Sequence, residues 1–414
     1  MFSALTASSE VVVEPPQSIK SNISVTTALV GEDDDNDYLG TKEFTLATTN
    51  TPTVAVEEKG VAQFDSATPT TIKDYHLIRT IGLGSLARVH LVRCRSSRKF
   101  YAIKVLKKTC IVRYKQLGHI KDEIQIMKAL SDPQSNKSPG SSFILSCDSI
   151  FQDAHHLFLV LEYLEGGDLF TLISQRNLFH QAQNNKPLLS LRLSFDEAKF
   201  YASEIFSGIS FLHRCGIIHR DINPENIVLD SQGHVKLIDF GLAKRIAKDT
   251  TTKTFCGKTD YMAPEIILGL SYGAGVDWWA FGVTVFEMLF GFPPFAHRNS
   301  KTVYEKIIAI SYAVPAQPFD NDQDRQKVTD LFKGIFISDA IKRASARYIE
   351  QFSFFDGVDW NMVCSKSSKP PFIPSIESGM GDDKYFDKFP EDNDLQYGET
   401  TDHDEFNGIF DDFI

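Results

Sequence analysis

Two short acidic loops, each carried behind an apolar run, constrain this chain more than any other feature. The first is His219-Arg220-Asp221-Ile222-Asn223-Pro224-Glu225-Asn226, set between Ile217-Ile218 and Ile227-Val228-Leu229. The second, Asp239-Phe240-Gly241, begins thirteen residues after Asn226 and follows the run from Val235 to Ile238. Short apolar runs bounded by polar loops read as buried strands, and strand ends can bring both loops to one point. An Asp that takes a hydroxyl proton, with an Asn and a second Asp that hold a divalent metal, is the set phosphoryl transfer needs. Asp221, Asn226 and Asp239 are the candidates for those three parts.

The upstream segments supply what such chemistry also requires. His76 to Ile81 alternates like a strand, and Ile81-Gly82-Leu83-Gly84-Ser85-Leu86-Ala87-Arg88-Val89 leads into a second alternating stretch, His90-Leu91-Val92. Glycines between antiparallel strands let backbone N–H groups approach phosphates closely. Ala87, in place of a third glycine, should tighten the loop slightly. Lys104 sits inside the strand-like run Phe100 to Val105, where an unpaired charge is costly to bury. Its expected partner is Glu123, on a helical stretch from 115 to 130 with an apolar stripe of Ile120, Ile124, Met127 and Ala129. Leu157 to Glu162 reads as a buried strand ending at a hinge, Tyr163 to Gly167. Residues 176–194 read as an inserted surface loop, and 196–214 as an amphipathic helix feeding the first acidic loop. Asp277 opens an apolar helix, Trp278 to Phe292, and is expected to brace the backbone of that loop.

These pieces together resemble a protein kinase, which implies an α+β, bilobal fold with a β-rich N-lobe and a helical C-lobe. The boundaries that follow are an acidic, disordered segment over 1–73, a kinase domain over 75–355 (N-lobe 75–162, C-lobe 163–355) and an extension over 356–414. The resemblance implies ATP and Mg2+ as cofactors. The glycine loop would cover the phosphates, and Lys104, paired to Glu123, would hold the α/β-phosphates. The adenine pocket would take Ile81, Val89, Ala102, Glu162, Leu164 and Val228, and Asp168 would reach the ribose. Asp221 would be the base, and Asn226 and Asp239 the metal ligands. Thr254 stands where an activating phosphate would go, with Arg220, Lys244 and His119 to receive it, although other threonines crowd that loop. Glu265 would pair with Arg343.

The motifs from Gly82 to Arg343 resemble the AGC group of serine/threonine kinases. Pro371-Phe372-Ile373-Pro374, the run Tyr385 to Asp394 and Phe410-Asp411-Asp412-Phe413 look like the C-terminal extension of cyclic-nucleotide-dependent kinases. The Phe386 to Asp394 run is most similar to the cyclic-GMP-dependent branch. This implies a tail that wraps the small lobe, with Phe386 closing the adenine pocket and Phe410 and Phe413 docked beside the Glu123 helix. It also implies protein substrates with Arg or Lys two and three residues before the acceptor, received by Asp168, Glu225 and Glu287, since paired carboxylates suit guanidinium forks. Seventy-three N-terminal residues cannot hold tandem cyclic-nucleotide-binding domains. Either the chain is a free catalytic subunit with a separate inhibitory partner, or it is not nucleotide-regulated. Lys253, where such subunits carry Trp, speaks against the partner.

Charge excludes other classes. The chain of 414 residues is 42% hydrophobic and carries a net −11, enough for a large core and about two to three domains. Residues 1–73 hold 4 basic and 11 acidic residues, and 376–414 hold 2 and 13, which leaves the body at +7. Acidic ends would repel nucleic acid. Six scattered cysteines without a C-x-x-C pair suit a reducing compartment. No signal peptide is expected at Met1-Phe2-Ser3, and Phe2 occupies the position where myristoylation requires glycine. The longest apolar run is too short to span a bilayer. A cytoplasmic location, with the nucleus open as well, is the expectation.

Two positions depart from the resemblance. Asn223 stands where serine/threonine kinases carry a lysine on the γ-phosphate, and Lys258 where they carry a threonine. Lys258 is therefore expected to supply, from the activation segment, the cation lost at 223. The other reading is an impaired kinase fold acting as a scaffold or allosteric partner.

Overall fold

A computed structural model describes Val11–Val12 and residues 71–413, except 85, 133–137, 175–191, 248–249, 317–318, 320, 377–380, 392–396, 399–405 and 407. Ser85, most of the 176–194 insertion and nearly all of the segment 1–73 lie outside the described residues. Within that segment, Val11–Val12 form a two-residue strand, β1, antiparallel to Val314 and Ala313.

A five-stranded antiparallel sheet forms the small lobe. It contains β2 (Tyr75–Leu83), β3 (Ala87–Cys94), β4 (Phe100–Lys107), β5 (Cys147–Gln152) and β6 (His156–Glu162), in the order β2-β3-β4-β6-β5. Side chains alternate across a strand, and β4 shows the consequence. Tyr101, Ile103 and Val105 pack with Tyr75, Phe151 and Phe158 on one face, while Ala102 and Leu106 join the main core on the other. Lys104 shares that second face. Two helices, α1 (Lys108–Arg113) and α2 (Leu117–Leu130), separate β4 from β5. The helix expected from 115 starts at Leu117 because Lys115 adopts a left-handed backbone, φ 54°.

The large lobe is helical. After α3, described over 169–174, comes α4 (Phe195–Arg214). Ser194 and Glu197 close its first turn as a reciprocal cap, each side chain accepting from the other's backbone N–H. Two hairpin strands, β8 (Ile227–Leu229) and β9 (Val235–Leu237), carry the acidic loops, while β7 (Ile217–Ile218) pairs with β10 (Lys244–Arg245). There follow α5 (Pro264–Ile267), α6 (Gly275–Phe290), α7 (Ser300–Ala309), β11 (Ala313–Val314) and α8 (Asp322–Ile335). Every residue of α6 from Val276 to Phe290 is buried, as a helix apolar on all sides must be. Gly282 admits α8, since a Cβ there would lie 2.5 Å from Ile335 Cγ2. Among the described residues no helix is long and apolar enough to cross a membrane.

Glu265 and Arg343 lock the bottom of this lobe. Arg343 donates to both Glu265 oxygens at 2.7 and 2.8 Å, and the remaining guanidinium protons go to the carbonyls of Gly275 and Ile337. Both side chains are under 5% exposed. Removing one partner strands a buried charge, so Arg343→Ala should lower unfolding stability by about 3–5 kcal/mol, read as a fall in the urea midpoint. A shift under about 1 kcal/mol would mean that water enters and solvates Glu265.

Candidate active site

Asp277, fully buried on α6, holds the first acidic loop from beneath. Its Oδ1 accepts the Arg220 N–H at 2.8 Å, and its Oδ2 accepts the His219 N–H at 2.9 Å and His213 Nε2 at 2.8 Å. Burial alone would raise this carboxyl, but the bonds from His213 and the loop backbone outweigh it and leave it below its ordinary value. Arg220 and Asp239 adopt left-handed backbones, φ 66° and 60°, a strain of roughly 1–3 kcal/mol each for such residues. The two loops are also tied to each other. His219 Nε2 donates to the Ile238 carbonyl at 3.0 Å, and the Ile238 N–H donates to the Asn226 carbonyl at 2.9 Å.

On that base the polar groups converge. Asn226 Nδ2 donates to Asp221 Oδ2 at 2.7 Å and to the Asp221 carbonyl at 2.9 Å. Its own Oδ1 meets no donor among the described residues. Asn223 Nδ2 and the Lys258 N–H approach Asp221 Oδ1 at 3.2 and 3.3 Å. Burial raises the Asp221 carboxyl above its usual value, with the charge of Asp239 adding to the rise. Lys104 Nζ lies 2.6 Å from Glu123 Oε1 and 3.3 Å from Asp239 Oδ1. Burial would drain that ammonium of its proton, yet the two carboxylates reverse the effect and raise it. Lys104 in turn holds Asp239 below the usual carboxylate range.

Asp239, Asn226, Lys104 and Glu123 all line one cavity of about 240 Å3. Ile81, Gly82, Val89, Ala102, Glu162, Leu164, Val228 and Phe386 line it too. Phe386 stacks on Tyr163, with ring centres 5.6 Å apart. The tail that delivers it is fastened at several points. Arg79 pairs with Asp383, and Tyr163 donates to the Asp382 carbonyl at 2.8 Å. Glu391 accepts from Thr80 N–H and Oγ1 at 2.6 and 2.8 Å. Gly167, φ 75°, makes room for Tyr385, whose Cβ would be 2.8 Å from any Cβ at 167. Phe410 and Phe413 are buried, and Asp412 pairs with Lys121 of α2 at 3.3 Å.

Other expected contacts go elsewhere. Leu83, Gly84, Leu86, Ala87 and Arg88 do not line the cavity. The Gly84 N–H closes the loop onto the Ala87 carbonyl at 2.8 Å, and Leu83 is half exposed. Arg88 turns its guanidinium to Thr80 Oγ1 and the Pro390 carbonyl, because alternation along β3 directs it to the tail. Glu162 borders the cavity, but its Oε1 is taken by Lys236 Nζ and the Ser146 N–H. Asp168 lies outside, accepting the Thr171 N–H at 2.6 Å as the cap of α3. Met127, Leu145, Leu161, Tyr163, Ile238 and Phe240 line the cavity without having been singled out. Tyr163 belongs to the expected hinge and Phe240 to the second acidic loop; the only signal of the other four is membership of apolar runs, which marks core and cavity wall alike.

In the activation segment the Lys258 ammonium lies on the outer face of the first acidic loop. It pairs with Glu225 Oε1 at 2.7 Å and lies 5.8 Å from the Tyr261 ring centre, drawn to the neighbouring exposed carboxylate. Glu287 is buried and accepts from the Tyr261 hydroxyl. Thr254 is exposed, and its carbonyl accepts from Tyr272 OH at 2.6 Å. Lys244 Nζ bonds Thr252 Oγ1, which lies 3.3 Å from Thr254 Oγ1, and Arg220 reaches Tyr272 OH at 3.3 Å. His119 bonds Gln116 instead.

The donor set suits magnesium with nucleotide. Mg2+ is usually held by one or two carboxylates, with phosphates and water completing the shell. Asp239 and the free Asn226 oxygen meet that need, and no cluster of three His, Cys, Asp or Glu exists among the described residues to hold a metal unaided.

The protein kinase domain family model matches residues 75–355. The chain is 35% identical over 351 residues to cAMP-dependent protein kinase type 3 of Saccharomyces cerevisiae, covering 83% of this chain and 80% of that one. It is 34% identical over 326 residues to the human cAMP-dependent protein kinase catalytic subunit PRKX, covering 78% and 82%. With the cAMP-dependent protein kinase catalytic subunit of Arthrobotrys oligospora the identity is 35% over 349 residues, covering 83% of this chain but 61% of that longer one. None of these three bears the cyclic-GMP name that the tail suggested. The chain belongs to the protein kinase family, among the serine/threonine kinases of the cyclic-nucleotide-dependent, AGC type.

Proposed function

We propose that this chain transfers the γ-phosphate of ATP to serine or threonine hydroxyls of proteins that carry basic residues before the acceptor. One observation carries the reading: Lys104, Glu123 and Asp239 form a connected ion-pair chain in one cavity with Asn226, whose amide donates to the Asp221 carboxylate beside it. Bound ATP with Mg2+ supplies the transferable phosphoryl group. Asp239 and Asn226 would hold the metal, Lys104 the phosphates, and the apolar walls with Phe386 the base. Asp221 accepts the proton of the substrate hydroxyl, oriented for it by Asn226, Asn223 and the backbone N–H of Lys258. Asp168, Glu225 and Glu287 would receive the substrate's basic side chains, Glu225 by giving up its bond to Lys258. Phosphate on Thr254 would add nearly two negative charges beside Lys244 and the Arg220–Tyr272 pair and order the segment. The six cysteines are unpaired, which supports a location inside the cell. An inhibitory subunit remains an open partner, with Lys253 against it.

Purified chain with ATP, magnesium and an Arg-Arg-x-Ser peptide should turn over. No turnover even with Thr254 phosphorylated would favour the scaffold reading, which the loss of the usual lysine at 223 supports.

Because Asp221 must be deprotonated to act and burial raises its carboxyl, the acid limb of kcat/KM should lie above the ordinary aspartate value of about 3.9. Activity is then lost as pH falls through that raised value. A limb at or below 3.9 in the pH profile would remove Asp221 as the base.

Asn223 leaves the transferring phosphoryl without one cation, and the Lys258 ammonium pairs with Glu225 at 2.7 Å. A cation there contributes a few kcal/mol of transition-state stabilisation, so Asn223→Lys should raise kcat on the order of tenfold or more. An unchanged or lower kcat would show that the site is complete as it stands.

A further inference from the structure

The carboxylates beside Asp221 already hold a cation, and it belongs to the chain. Lys258 Nζ sits 2.7 Å from Glu225 Oε1, with the two side chains 38% and 53% exposed. The charge spreads further than one pair. Lys258 pulls down both Glu287 and Asp260, which burial otherwise raises. Glu225 pushes Glu287 and Asp168 up. Four acidic groups thus share one field, and Lys258 is the lysine that acts on two of them and pairs with a third. Its backbone N–H rests on Asp221 Oδ1 at 3.3 Å, which anchors the residue between the base and the acidic cluster.

We propose that Lys258 is a specificity-determining residue: an internal cation seated on Glu225 that a basic side chain of the substrate must displace. The inference rests on the reading that these carboxylates receive basic substrate residues. Both partners are partly exposed, so the bond is exchangeable and not a lock. An ion pair of this exposure changes affinity by roughly two- to fivefold, and spreading over Glu287 and Asp260 adds to that. The physical result is a weakened demand for a basic residue two or three positions before the acceptor. A peptide with a neutral side chain there leaves the Lys258–Glu225 bond intact and loses little.

The test compares binding by the full chain and two variants, Lys258→Met and Lys258→Arg. The probes are two peptides whose acceptor is replaced by alanine, one with Arg and one with Ala at both the second and third positions before it. Affinities are read by calorimetry with magnesium and a non-hydrolysable ATP analogue. Lys258→Met should tighten the Arg peptide roughly two- to tenfold and leave the Ala peptide unchanged, so that the Arg-over-Ala ratio rises. Lys258→Arg keeps the cation and should match the unaltered chain, which a merely structural role of the side chain would not predict. An Arg preference that is present and equal in all three proteins overturns the inference and leaves the basic-substrate reading standing. No Arg preference in any of them overturns both.

Discussion

The arrangement depends on one buried carboxylate. Asp277 comes from a helix with no solvent-facing side, and it accepts three hydrogen bonds, two of them from consecutive backbone N–H groups. Bonds to a charged acceptor contribute about 1.5–3 kcal/mol each, enough to hold Arg220 in its left-handed backbone. That backbone places His219 so that its ring bonds the Ile238 carbonyl, one residue before Asp239. The two acidic loops therefore behave as one unit, and Asp221, Asn226 and Asp239 inherit their spacing from a side chain that touches none of them.

A second dependence runs from the tail to the small lobe. Glu123 can neutralise Lys104 only if α2 stays seated against the sheet. Phe410 and Phe413 are buried at that helix, Lys108 lies 5.3 Å from the Phe410 ring centre, and Asp412 pairs with Lys121. The same tail brings Phe386 to Tyr163 on the hinge. An extension whose composition alone reads as an acidic, solvated strand is thus ordered in part by aromatic residues at separated points, each with a socket in the kinase domain. Its acidic residues find Arg79, Thr80 and Lys121 on the small lobe.

Residue types at fixed spacing made part of this legible in advance. A lysine in a β-branched strand demands an acid, and Glu123 lies 2.6 Å away. Asp277, a carboxylate on an apolar helix, is readable for the same reason, since a buried charge must have a partner, while the Glu265–Arg343 pair follows from the resemblance. What stayed hidden was direction. Arg88 and Glu162 stand at motif positions, but the register of β3 and the approach of Lys236 turn their charges away from the nucleotide side. Met127, Leu145 and Leu161 look like ordinary core in the pattern, because an apolar residue facing a cavity has the same neighbours in sequence as one facing another side chain.

Lys258 is the sharpest case of hidden direction. Counting charges, a lysine lost at 223 and one gained at 258 balance. Electrostatics depends on position, and the Lys258 ammonium sits 2.7 Å from Glu225, among the carboxylates of that surface. The donors that reach Asp221 are amides: Asn226, Asn223 and the backbone of Lys258. Amides orient a carboxylate without supplying the charge that a lysine at 223 would bring to a phosphoryl group. The substitution pair therefore redistributes work between two neighbouring surfaces. The floor of the cleft keeps its geometry and gives up a cation, while the surface around Glu225 gains one.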